Sequence, residues 1–126
     1  MPLRVPTVAT AISVMLVAPA LADTASRVKR GDFDARAGIP CAQERGEALG
    51  LCDAGVVRAD GGATVVVTFP NGFARTLRFA GSRFDRANPT MSGTGRDTDW
   101  TLRNGVHRIR VDDQRFELPD AFVSGD

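Results

Sequence analysis

The sequence predicts an all-β fold, a small antiparallel barrel or sandwich with one disulfide loop at its N-terminal side. Three observations carry this: apolar and polar residues alternate after Cys52, turn residues separate the alternating runs into hairpins, and almost no helical period is present. No internal repeat or low-complexity tract interrupts the pattern.

The first stretch has the three parts of an export signal. Arg4 provides a short basic start, Val8 to Ala18 an apolar run, and Ala20 and Ala22 the small residues flanking Leu21. Cleavage is predicted after Ala22. The apolar run is about half the roughly twenty residues a membrane span requires, so no span is expected after cleavage. Asp23, not a cysteine, follows the cut, which argues against a lipid anchor. The destination is then periplasmic or secreted.

Asp23 to Pro40 reads as a polar N-terminal arm without sustained period, in which Phe33 is the one candidate for burial. The β domain is expected over 41–126. Cys41 and Cys52 are read as a disulfide, because export leads to an oxidising compartment and neither a Cys-x-x-Cys motif nor a second histidine supports a redox or metal site. Between them Gly46 and Gly50 allow a loop with at most one turn of helix.

The first hairpin follows. Val65, Val67 and Phe69 share one face, Pro70-Asn71-Gly72 suits a three-residue loop, and Phe73, Leu77 and Phe79 share a face of the returning strand. This pairs Phe69 with Phe73 and Val65 with Leu77. Arg75 falls on the apolar side opposite Val67, so that end of the sheet is open to water or Arg75 has a specific partner. Ala80 to Asp99, rich in Gly, Ser, Asp, Asn and Thr, reads as a long surface loop that leads into a strand starting with Trp100 and Leu102.

The last hairpin, VHRIRV with RFEL, has two registers that satisfy its apolar faces. A two-residue loop at Asp112-Asp113 sets Arg110 across from Arg115, a like-charge pair. A four-residue loop, Asp112 to Arg115, sets Arg110 opposite Glu117 and Val111 opposite Phe116, and is the expected one. Pro119 ends that strand, and Ala121 to Val123 adds a short final one.

Composition narrows the function. Of sixteen basic residues Arg4 leaves with the signal, so the mature chain carries fifteen of each sign and no electrostatic footprint for nucleic acid. His107, the only imidazole, shares parity with Ile109 and Val111 and reads as a core or edge residue. The serines lack a Gly-x-Ser-x-Gly elbow. Asp97 with Asp99, and Asp112 with Asp113, are candidates for paired-carboxylate hydrolysis, but their context is that of solvated turns and they lack a calcium-loop spacing. Gly93-Thr94-Gly95 is only a fragment of a phosphate loop. No catalytic residue, metal or cofactor is expected.

What remains is recognition. Arg83, Phe84 and Arg96 in the long loop are candidate partner-binding residues, since aromatics and arginine anchor interfaces. Core-filling by Phe84 and Trp100 stands beside this reading.

The segments Pro40-Cys41-Ala42, Cys52 to Arg58, Phe69 to Gly72 and HRIRVDDQRFELPDAFV resemble a recurring type of small exported proteobacterial protein. That resemblance implies a compartment and a small β domain, and no chemistry. Gly81-Ser82-Arg83-Phe84 is similar to the Ser-Gly-x-x-Tyr loop of the periplasmic inhibitors of C-type lysozyme, and Trp100 to Gly105 to their aromatic-x-x-Lys-Gly loop, with Arg103 in the lysine position. The order of Ser and Gly, Phe84 for tyrosine and the missing late cysteine depart from that family; the resemblance adds Ser82 and Arg103 to the candidate partner-binding residues. The expected function is non-enzymatic binding of a protein or envelope component, with lysozyme inhibition and a paired-Asp hydrolase as alternatives.

Overall fold

The computed structural model describes residues 20–88 and 95–126. The signal-peptide reading of residues 1–19 and the glycine fragment up to Thr94 lie outside the described residues. Period-two patterning becomes eight antiparallel strands: β1 (Ala35–Ala42), β2 (Gly50–Ala59), β3 (Gly62–Thr68), β4 (Ala74–Ala80), β5 (Arg83–Ala87), β6 (Thr98–Arg103), β7 (Val106–Val111) and β8 (Gln114–Pro119). They form one sheet in the order β5-β4-β3-β2-β1-β8-β7-β6, curled into a nearly closed barrel whose only unpaired neighbours are β5 and β6. The chain therefore runs up and down around the barrel, and its seam lies in the middle of the sequence, where β5 gives way to β6. Two helices flank the sheet, α1 (Ala20–Arg30) and α2 (Asp120–Ser124).

Inward-facing residues fill the barrel. Ile39, Val56, Val65, Leu77, Ile109, Val111, Phe116 and Leu118 are all buried, and each side chain of this kind contributes ~1.5–3 kcal/mol on leaving water. Cys41 and Cys52 join β1 to β2 from the inner face, with Cα atoms 5.9 Å apart, and their sulfurs belong to this core. Between the strands, the loop 43–49 contains a single turn.

The first hairpin has the expected register, with Val65 across from Leu77. The Gly72 N–H donates to the Phe69 carbonyl at 2.8 Å, and Gly72 takes a left-handed φ of 91° that glycine adopts without strain. The last hairpin takes the other register. Val111 pairs with Gln114, Arg110 with Arg115 and Arg108 with Glu117 around a two-residue loop. Asp112 adopts φ 52°, the positive value a tight hairpin turn requires, and aspartate tolerates it better than most side chains. The like-charge pair survives because each cation has its own acceptor: Arg110 binds Asp97 at 3.2 Å, and Arg115 donates to the Glu47 carbonyl.

Three segments differ from the sequence reading. Asp23 to Pro40 is largely ordered, carrying most of α1 and the start of β1. α1 packs on the outer face of β2 and β3, where Thr24, Val57 and Thr64 are buried. Arg27 on α1 binds Asp34 at 2.6 Å, and Asp34 also accepts the Arg58 N–H at 2.7 Å, tying helix, link and β2 together. Phe33 lies flat on Gly55, so close that a Cβ there would come within 2.6 Å of its ring.

The expected loop 80–99 contains β5. Asp85 bulges between the pairs Arg78–Arg86 and Phe79–Phe84, so Phe84 and Ala87 both face inward although three positions apart. The predicted final strand is instead α2, which buries Val123 and ends at Gly125 in the left-handed conformation.

Candidate functional site

Strand direction sorts the connections into two ends. The upper end holds the turns at Asp60-Gly61, Gly81-Ser82 and Asn104-Gly105, together with α2. The lower end holds the loop 43–49, the turn 70–72, the end of β5, the start of β6 and the turn Asp112-Asp113.

At the upper end, the Gly81 N–H donates to the Gly61 carbonyl at 2.7 Å and locks two turns together. The β6–β7 turn closes through the pair Arg103–Val106, with Asn104 at φ 52° and Gly105 at φ 73°, both positive as a two-residue hairpin loop of the primed type requires. Ser82, Arg83 and Arg103 are exposed here. Beside Ser82 lies a shallow hollow of about 240 Å³ between Gly61, Gly62, Gly81, Ser124 and the Arg58 side chain. Arg58 donates to the Phe122 carbonyl at 2.8 Å, and Val123 plugs the barrel beneath.

Two of the sequence-predicted site residues stand elsewhere. Phe84 is a core residue, edge-on to Phe79 at 5.8 Å between centroids, and offers no surface to a partner. Arg96 is exposed but sits at the lower end. The five residues therefore do not form one surface; Ser82, Arg83 and Arg103 share an end.

The lower end is built of paired charges. Asp97 binds Arg110, Asp113 binds Arg45 at 3.2 Å, and the Asp112 carboxylate accepts the Gly95 N–H at 2.6 Å. The hydrogen bond from Arg110 to Asp97 raises the Arg110 pKa further above its ordinary value. Asp99 accepts the N–H of its neighbour Trp100 at 2.9 Å. These carboxylates thus hold turns and arginines. A cleft of about 480 Å³ opens among Arg45, Arg110, Arg115, Asp97, Asp112 and Asp113, where three cations face three carboxylates.

Arg75 answers the question its parity raised. It points into the barrel, is only 4% exposed, and donates to Gln114 Oε1 at 2.8 Å and to the Asn88 carbonyl at 3.3 Å. Its guanidinium also lies 5.3 Å over the Phe73 ring. Burial lowers its pKa, opposed by the field of Asp112.

His107 is fully buried and bonded at both nitrogens. The Trp100 indole N–H donates to Nδ1 at 3.0 Å, and Nε2 meets Asp120 Oδ1 at 2.8 Å. Through these two contacts the imidazole links Trp100 of β6 to Asp120 of α2. Sequence reasoning missed Asp120 because it lies thirteen positions away, between the end of one expected strand at Pro119 and the start of another at Ala121. Among the described residues no group of three His, Cys, Asp or Glu side chains converges to hold a metal ion, and no helix is long and apolar enough to cross a membrane. Comparison of the chain with family models, with curated proteins and with solved structures gives no match.

Proposed function

We propose that the protein is an exported, non-enzymatic β-barrel domain that binds a protein or envelope component through its upper end. The observation that carries this reading is the gathering of Ser82, Arg83 and Arg103, all exposed, at one end of a barrel whose interior is filled with side chains. A filled interior leaves recognition to the outside, and turns held by a rigid sheet are where binding residues are commonly displayed. Export to the periplasm or beyond is supported by the amino-terminal signal pattern and by the disulfide within the core.

The test is site-directed cross-linking in envelope extract from Ser82→Cys, Arg103→Cys and, at the opposite end, Asn71→Cys. Adducts from positions 82 and 103 but not from 71 are expected. No adduct from either, or equal capture from position 71, overturns the reading.

One observation favours a specific partner. The two segments similar to those of C-type lysozyme inhibitors, Gly81 to Phe84 and Trp100 to Gly105, both end at the upper end. Against it, Phe84 is buried and Ser82 and Arg103 alone remain to enter a cleft. Purified protein that slows lysozyme in a turbidity assay, with Arg103→Ala reducing the effect, supports inhibition. No slowing at a tenfold molar excess refutes it.

A further inference from the structure

His107 and Trp100 are the only histidine and the only tryptophan in the chain. An indole N–H can only donate. His107 Nδ1 must therefore accept the Trp100 hydrogen bond, which places the ring proton on Nε2, where it is donated to Asp120. The neutral imidazole thus ties edge strand β6 to α2. Asp120 holds the same hairpin a second time, since its backbone N–H donates to the Gly105 carbonyl at 2.8 Å.

The surroundings decide what a second proton does. Phe79 of β4 stands edge-on to the ring at 5.0 Å, Trp100 of β6 stacks at 6.1 Å, and Leu102 of β6 and Leu118 of β8 are its cross-strand neighbours. None of these is charged. Asp120 of α2 is the one ionisable group bonded to the ring. A proton added to Nδ1 removes the only acceptor shown for the indole and sets two N–H donors face to face at 3.0 Å. At the same time the contact between Nε2 and Asp120 becomes a charge-assisted bond, the stronger kind.

We propose that His107 is a proton-operated latch. Neutral, it fastens the Trp100 indole against the barrel; protonated, it releases the indole while Asp120 keeps the ring attached to α2. His107 itself belongs to β7, and six backbone pairs join β7 to β6, so the strand stays in place whichever state the ring is in. Release of the indole therefore leaves the sheet intact.

Because the chain contains no tyrosine, intrinsic fluorescence excited in the near ultraviolet reports Trp100 directly. A change in emission is expected as the pH is lowered stepwise from 8, with far-ultraviolet circular dichroism unchanged. Asp120→Asn keeps an oxygen for Nε2 but removes the compensating charge, and should move the change to lower pH. His107→Asn should abolish it. Emission that stays flat in the unaltered protein, or the same change in His107→Asn, overturns the latch. Should that variant fail to fold, nuclear magnetic resonance on the unaltered protein decides: the His107 ring and Trp100 indole N–H must shift with one midpoint, and separate midpoints overturn it.

Discussion

Replacing Arg75 by methionine tests how a cation comes to sit inside this barrel. Methionine retains an apolar stem of similar reach but removes both donors, leaving the Gln114 side-chain oxygen and the Asn88 carbonyl without the bonds of 2.8 and 3.3 Å. Gln114 is buried, and an unpaired buried acceptor costs about 1–3 kcal/mol. Relief of guanidinium desolvation, the effect that lowers the Arg75 pKa, offsets part of this. Arg75→Met should therefore destabilise by about 1–2 kcal/mol, read as a lower urea midpoint with an unchanged slope. The double variant Arg75→Met/Gln114→Leu removes both members, and replacing a buried polar pair with apolar groups is often close to neutral. It should recover to within about 1 kcal/mol of the original protein, giving a coupling energy of about 1 kcal/mol or more between the two positions. Additive losses, with no recovery in the double variant, refute the claim that Gln114 is what makes Arg75 tolerable.

Three further outcomes follow from named contacts. Cys41→Ala/Cys52→Ala opens a loop of eleven positions and should cost about 2.8 kcal/mol by loop entropy, a fall of roughly 10–20 °C in melting temperature by calorimetry. The Arg27 side-chain hydrogen bond, helped by the Arg58 N–H, holds the Asp34 carboxyl below its ordinary pKa, so its contribution is complete above the unfolded value near 4 and disappears as pH falls through the lower folded value. The stability gap between the original protein and Asp34→Asn should accordingly be constant above about pH 5 and shrink below about pH 4 in urea titrations. Gly55→Ala drives a methyl into the Phe33 ring and should cost about 1–3 kcal/mol in the same assay, with Phe33→Ala/Gly55→Ala less harmful than the two single losses combined.

The hairpin around Pro70-Asn71-Gly72 was legible because everything that determines it lies within fifteen residues, Val65 to Phe79: two alternating runs and three turn residues of known φ preference. The register at Asp112-Asp113 was not, because the comparison of Arg110 with Arg115 or Glu117 weighed two strands, whereas the charge that decides it, Asp97, comes from beyond a third. β5 escaped because its bulge at Asp85 shifts Phe84 and Ala87 to one face and breaks the alternation. β1 does alternate, but through small residues, Ala35 and Ala37, whose burial is supplied by neighbours rather than by their own bulk. In the candidate site, Arg83 was proposed from residue type and Ser82 and Arg103 from a resemblance, and neither route says where in space they stand. That Arg96 belongs to the other end is a property of strand direction, and the tie between His107 and Asp120 depends on a helix that five residues between a proline and a glycine do not announce.

The pairing of β1 with β8 has a consequence for how the molecule assembles. β1 to β5 and β6 to β8 are two ribbons whose strands each pair with the next along the chain, so both can knit from local encounters. Their ladder to one another consists of two rungs, Cys41 with Phe116 and Ala42 with Arg115, which bring together positions 75 and 73 apart. Such distant closure is the slow event in β folding. The crosslink of Cys41 to Cys52 fixes β1 against β2 at that same rung, so oxidation prepares the template on which the second ribbon zips shut.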